Sequence, residues 1–267
     1  MRSGTSRHLQ QLLGACAGAV TLAAALVAAS LHAPAVAAGV PAGEAAPGDT
    51  RAVDVRAVDV RAATVVPRLT IARLQYDGGG DWYANPSSLP NLLAAIGERT
   101  TIPVEATEAR VRLTDERLWD YPFLHATGHA DMRLSETEVA RLREYLTRGG
   151  FLHVDDNYGL DASFRREIAR VFPDRQLVDV PLSHPIYHLV YDMPRGLPKI
   201  HEHDGKPPRG LGIFLGDRLA VFYSHESDLG NGWEDVGTYD DPPELHEAAL
   251  RMGVNLFVYA VTSRPAS

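Results

Sequence analysis

The chain of 267 residues contains a single cysteine, Cys16. It lies so close to the N-terminus that the body of the protein has no disulfide, no thiolate metal ligand and no cysteine nucleophile. Other signatures are missing too. No Gly-Lys-Ser/Thr follows a glycine run, which disfavours a phosphate loop. There is no His-Glu-x-x-His to support a zincin, and no Gly-x-Ser-x-Gly to mark a serine elbow. Basic residues are in deficit: 26 Lys and Arg stand against 34 Asp and Glu, for a formal net charge of -8. That balance argues against nucleic acid as a partner.

What is present is a globular composition, 45% hydrophobic and 22% charged. The length suits one α/β domain with extensions. Arg2 and Arg7 precede an apolar run from about Leu12 to Leu31, and Ala35-Val36-Ala37 fits the small-residue cleavage rule. Residues 1–37 therefore read as a signal peptide, predicting a periplasmic or secreted protein. If uncleaved, the run approaches the ~20 residues that span a bilayer and would be a membrane anchor. Residues 38–67 read as a disordered Ala/Pro/Gly-rich tether in which Arg51–Val55 is repeated as Arg56–Val60.

The folded domain is expected over 68–263. Leu69–Tyr76 has the β-branched content of a strand. A helix over about Ser88–Glu98 carries Leu89, Leu92, Leu93 and Ile96 on one face. A second strand is expected within Val104–Leu113 and a third over Pro122–Thr127. Ser135 and Glu138 form a capping box for a helix with Val139, Leu142 and Leu146 on its buried stripe. Gly149 stops that helix, and the apolar run Phe151–Val154 follows as a strand ending in Asp155-Asp156-Asn157. A helix over about Ala162–Phe172, a short strand at 177–180, a long Pro- and His-rich segment at 181–209 and a hairpin turning at Gly216-Asp217 come next. Asp241 is expected to cap a terminal helix. Alternation of strand and helix implies one doubly wound, mainly parallel sheet, flavodoxin-like, closed by a C-terminal hairpin and helix.

Gly78-Gly79-Gly80-Asp81-Trp82-Tyr83, Gly128-His129, Gly149–Asp156, His184-Pro185 and Asp228–Trp233 together resemble DUF4159, a bacterial family of unknown function. The resemblance covers about 69–262. It implies a fold similar to the class I glutamine amidotransferase-like group, in which a cysteine on a strand-to-helix elbow is activated by histidine. The equivalent exit here is Thr127-Gly128-His129, without a thiol, so the resemblance implies that scaffold with its nucleophile gone.

Chemistry is expected where strand exits meet, at the carboxyl edge of the sheet. Asp155, Asp156 and His129 are candidate acid–base residues there. Asp77, Gly78, Gly79, Gly80, Asp81, Trp82 and Asn157 are candidate ligand-binding residues, because three glycines allow close backbone approach. His184 and His188, four apart, and His201 and His203, flanking Glu202, are candidate ligands for a divalent metal ion. Two functions follow. One is a non-catalytic module binding a small molecule or a cell-envelope protein; the other is a metal-dependent hydrolase. Residues 181–209 are predicted to fold over the carboxyl edge and bring at least one histidine to Asp155, Asp156 or His129.

Overall fold

The computed structural model describes residues 67–263. The predicted signal peptide and nearly all of the tether lie outside the described residues. Seven strands form one sheet in the order β2-β1-β3-β4-β7-β6-β5. They are β1 Ile71–Leu74, β2 Ala109–Val111, β3 Phe123–Ala126, β4 Phe151–Asp155, β5 Val178–Asp179, β6 Arg209–Leu215 and β7 Arg218–His225. Neighbours from β2 through β7 pair in parallel, and β6 and β5 add antiparallel pairings at one edge. β1, β3 and β4 are buried at every position, which is why they read as continuous apolar runs rather than alternating ones.

Helices cover both faces. α1 (Ser88–Arg99) and α5 (Pro243–Thr262) pack Leu92, Ile96, Leu256 and Phe257 against one side of the sheet. α2 (Glu136–Thr147) and α3 (Asp161–Val171) pack Leu142, Leu146, Phe164 and Ile168 against the other. The capping box forms as expected, with the Ser135 hydroxyl accepting from the Glu138 amide and the Glu138 carboxylate accepting from the Ser135 amide. The fold is therefore the mixed α/β, flavodoxin-like sheet that the pattern predicts. Among the described residues no helix is long and apolar enough to cross a membrane.

Three local expectations change. The second strand shrinks to three residues, and Val104 makes only an isolated bridge to Leu69. The intervening Glu105 and Thr107 are polar and exposed. Asp241 does not cap α5; Pro242 holds that position, with a further proline starting the helix. Residues 181–209 do not lie over the carboxyl edge throughout. Ile186 and Tyr187 join the α1/α5 core, and the His184 ring packs on Phe214 and Tyr259. Phe214 pairs with Leu219 near the start of β7, so this half runs toward the amino edge. The second half returns, tied by the Ile200 amide donating to the Ser227 carbonyl.

Candidate functional site

The exits of β1, β3, β4 and β7 share one rim. Five non-glycine residues among the described ones have positive φ: Asn85 (56°), Ala130 (64°), Tyr158 (77°), Glu226 (59°) and Asp228 (61°). All five lie in the loops leaving these four strands. Such conformations cost about 1–3 kcal/mol each and persist only where the surroundings enforce them. The rim is where this fold concentrates its strain.

Beneath the rim a line of buried polar groups crosses three strands. His125 Nδ1 and His153 Nδ1 are 3.1 Å apart, His153 Nε2 lies 2.9 Å from Ser224 Oγ, and Ser224 Oγ donates to Asp155 Oδ1. The hydroxyl proton goes to the carboxylate, so His153 Nε2–H donates to Ser224 and His153 Nδ1 must accept from His125 Nδ1–H. That tautomer assignment leaves His125 Nε2 a bare lone pair, and it is indeed buried without a partner. Burial lowers both histidines, His153 to about 3. At the far end Asp155, fully buried, accepts from the Leu229 amide at 3.1 Å and the Gly230 amide at 2.6 Å. It thereby pins the short helix α4 (Leu229–Trp233). Burial, then the nearby Asp228 charge, push Asp155 up to about 7. A Cβ at Gly230 would sit 3.0 Å from Asp155 Oδ2, so a side chain there would press on that carboxylate.

Asp228, immediately before α4, is 1% exposed. Its Oδ2 accepts from Asn231 Nδ2 at 2.7 Å, and its Oδ1 has no partner. His203 Nε2 stands 3.1 Å and His201 Nδ1 3.6 Å from Oδ2. These three donor atoms lie within 4.8 Å of one another. The hydrogen bond to Asp228 raises the His203 imidazole above its ordinary value, against burial. A further net of amides holds the site from below: Thr127 Oγ1 donates to Asn157 at 3.0 Å, Asn157 to Asn85 at 2.5 Å, and Asn85 to Asn231. Arg73, buried in β1, donates to the Ala84 and Asn85 carbonyls and so fixes the Asn85 turn.

Above this net opens a cavity of about 460 Å³. His201, His203 and Asp228 line it, as do Asn157, Tyr158 and His129. His129 is clamped by Asp81, whose carboxylate accepts from its backbone amide and stands 3.0 Å from its Nδ1. Partial burial raises Asp81, but the His129 amide and ring outweigh it and hold the carboxyl below its ordinary value. The glycines explain themselves here. A Cβ at Gly128 would lie 2.3 Å from Tyr76 Oη and 3.0 Å from the Asp81 carbonyl oxygen. Cβ atoms at Gly78 and Gly80 would meet the 129–133 backbone, each at 2.7 Å from a carbonyl oxygen. The glycine loop thus approaches the chain's own 129–133 segment and delivers Asp81 to His129.

The residues singled out in the sequence divide accordingly. His129, Asn157, His201 and His203 line the cavity. Asp77, Gly78, Gly79, Gly80, Asp81 and Trp82 do not, and Asp77 instead pairs with Arg112 at 3.1 Å. Asp155 lies beneath the cavity, capping α4. Asp156 is buried, with its Oδ1 unpartnered, and burial raises its carboxyl above the ordinary value. The four histidines separate. His184 accepts from the Ile186 amide to start a tight turn, and exposed His188 pairs with Asp192 and the Leu182 carbonyl. Pro185 initiates a 3-10 turn packed by Ile186 and Tyr187, which carries both rings away from the rim. Sequence reasoning missed Asp228, Asn231 and Asn85. The strand-exit rule pointed at β7 as well, but a hairpin reading hid that β7 is a central parallel strand.

Fold and rim define a flavodoxin-like α/β domain with a polar site at the carboxyl ends of its strands. The chain belongs to the family described as a domain of unknown function, DUF4159, whose model matches residues 70–261. No curated protein matches the chain.

Proposed function

We propose that the domain is a metal-dependent hydrolase whose ion is held by His201, His203 and Asp228. One observation carries this reading: two imidazole nitrogens and a buried carboxylate oxygen converge at the wall of an open cavity. Donors about 2.0–2.2 Å from a common ion lie roughly 3.3 Å apart in tetrahedral geometry. The distances of 3.1 and 3.6 Å to Asp228 Oδ2 bracket that value. Asp228 Oδ1 adds a buried acceptor with no partner in the protein. Three protein ligands with a position left to solvent is the pattern of catalytic rather than structural zinc. The bound ion would lower the pKa of its water and polarise a carbonyl. Asn231, bonded to Asp228, would orient the ligand carboxylate. On this reading the amidotransferase-like thiol position belongs to Gly128-His129 instead, and the N-terminal signal would deliver the domain outside the cytoplasm.

A second reading, a non-catalytic binding module, is favoured by the burial of Asp155, the carboxylate most naturally placed as a base. Calorimetric titration of untagged full-chain protein with Zn²⁺ separates the two. One ion should bind per chain, and His203→Ala and Asp228→Ala should each weaken it beyond the roughly 10–100-fold cost of second-shell changes. No binding, or binding that survives both substitutions, removes the metal reading and leaves the module.

A further inference from the structure

We propose that His129, oriented by Asp81, is the general base of this cavity and that the substrate is a neutral ester or amide. The inference rests on the metal reading for the electrophilic half of the reaction, but its own observations are separate. Asp81 engages both the amide and Nδ1 of His129, which fixes the proton on Nδ1 and leaves the Nε2 lone pair free. The side chain is 55% exposed and lines the same cavity as His201, His203 and Asp228. An ordinary surface ion pair needs no such construction. Here Gly78, Gly80 and Gly128 are each forced by backbone or hydroxyl atoms within 3.0 Å of a would-be Cβ, and their effect is to bring one carboxylate onto one imidazole.

The charge of the lining sets the substrate class. Among the described residues the lining holds Glu202 and Asp228 but no lysine or arginine. Phosphate monoesters and polyanions would meet acidic groups with no cation but the ion itself. Asn157, Asn231 and two tyrosines offer hydrogen bonds and ring faces suited to an uncharged polar molecule. In the step proposed, His129 Nε2 takes a proton as the water oxygen bonds to the carbonyl carbon. The tetrahedral adduct then expels the alkoxide or amine, and the imidazolium returns that proton to it. No oxidant or other reactant is needed.

Two measurements on the full chain test the inference. Diethyl pyrocarbonate acylates unprotonated imidazole and needs neither metal nor substrate. His129, followed by mass mapping across pH, should be modified, and Asp81→Asn should lower several-fold the limiting rate reached at alkaline pH, where the imidazole is unprotonated in both proteins. In the zinc-loaded protein, 4-nitrophenyl acetate hydrolysis should fall about 100-fold or more in His129→Gln, while zinc affinity stays that of the wild type. The inference is overturned if His129 reacts equally fast in Asp81→Asn, or if His129→Gln hydrolyses the ester as well as the wild type. Failure of zinc to bind the wild type would instead strike the metal reading, and the acylation rates would still decide whether Asp81 activates His129.

Discussion

Replacing Asp155 by alanine tests whether the rim hangs from one buried carboxylate. The substitution strips the acceptor from the Leu229 and Gly230 amides. Ser224 keeps an alternative, since its hydroxyl also reaches the Val154 carbonyl at 3.1 Å. Two orphaned buried donors cost about 1–3 kcal/mol each, or roughly 2–6 kcal/mol together. An opposing effect depends on pH. Asp155 is pushed from 3.8 to about 7 in the folded state. Between about pH 4 and 7 the native protein therefore holds a proton that the unfolded chain has released. The contribution of Asp155 to stability falls through that window as pH rises, by at most about 1.4 kcal/mol per unit. Alanine abolishes this dependence. The variant should be clearly less stable than wild type at pH 5, with the difference shrinking by about 2 kcal/mol by pH 7. Urea denaturation read by the fluorescence of the fully buried Trp233, with chelator present, measures both values. Asparagine should rescue little, because its one oxygen cannot serve both oxygen positions and its amide would face a backbone N–H. An equal loss at the two pH values, or a rescue by asparagine, would refute the reasoning.

The paired histidines should give the acid limb. His153 is lowered to about 3 and His125 is lowered too, so below about pH 6.5 the unfolded chain gains protons that the native state refuses, and stability falls with pH. His153→Leu should flatten that limb in denaturation curves taken from pH 6.5 to pH 4. Gly128→Ala should lower the thermal midpoint markedly, since its Cβ would lie 2.3 Å from Tyr76 Oη at φ +139°. Gly79→Ala, at φ +94° with nothing within 4 Å, should cost only its backbone strain. A similar melting temperature for the two would show that contact at 128 is unimportant.

The fold was legible because its signals are local and redundant. The Ser135–Glu138 box, the stripe of Val139, Leu142 and Leu146, and the both-sides-buried runs at 123–126 and 151–155 each follow from periodicity alone. β2 and β5 were less legible, as edge strands of three and two residues carry almost no apolar run to detect.

The site was half legible, and the half that failed has one cause. Strand exits follow from strand assignments, so His129, Asn157 and the Asp155-Asp156 pair could be placed on the rim in advance. What each side chain does there depends on which strand lies next to it. β7 inserts beside β4, far from it in sequence, and sets Ser224 opposite Asp155 and α4 directly above it. That neighbour converts Asp155 from an apparent base into a helix anchor. The His-x-His spacing put His201 and His203 at one cavity because the two alternate along one short segment. His184 and His188 have an equally suggestive spacing, but core packing by Ile186 and Tyr187 decides their direction. Spacing reports which side chains can face together, whereas the packing of the residues between them decides what they face.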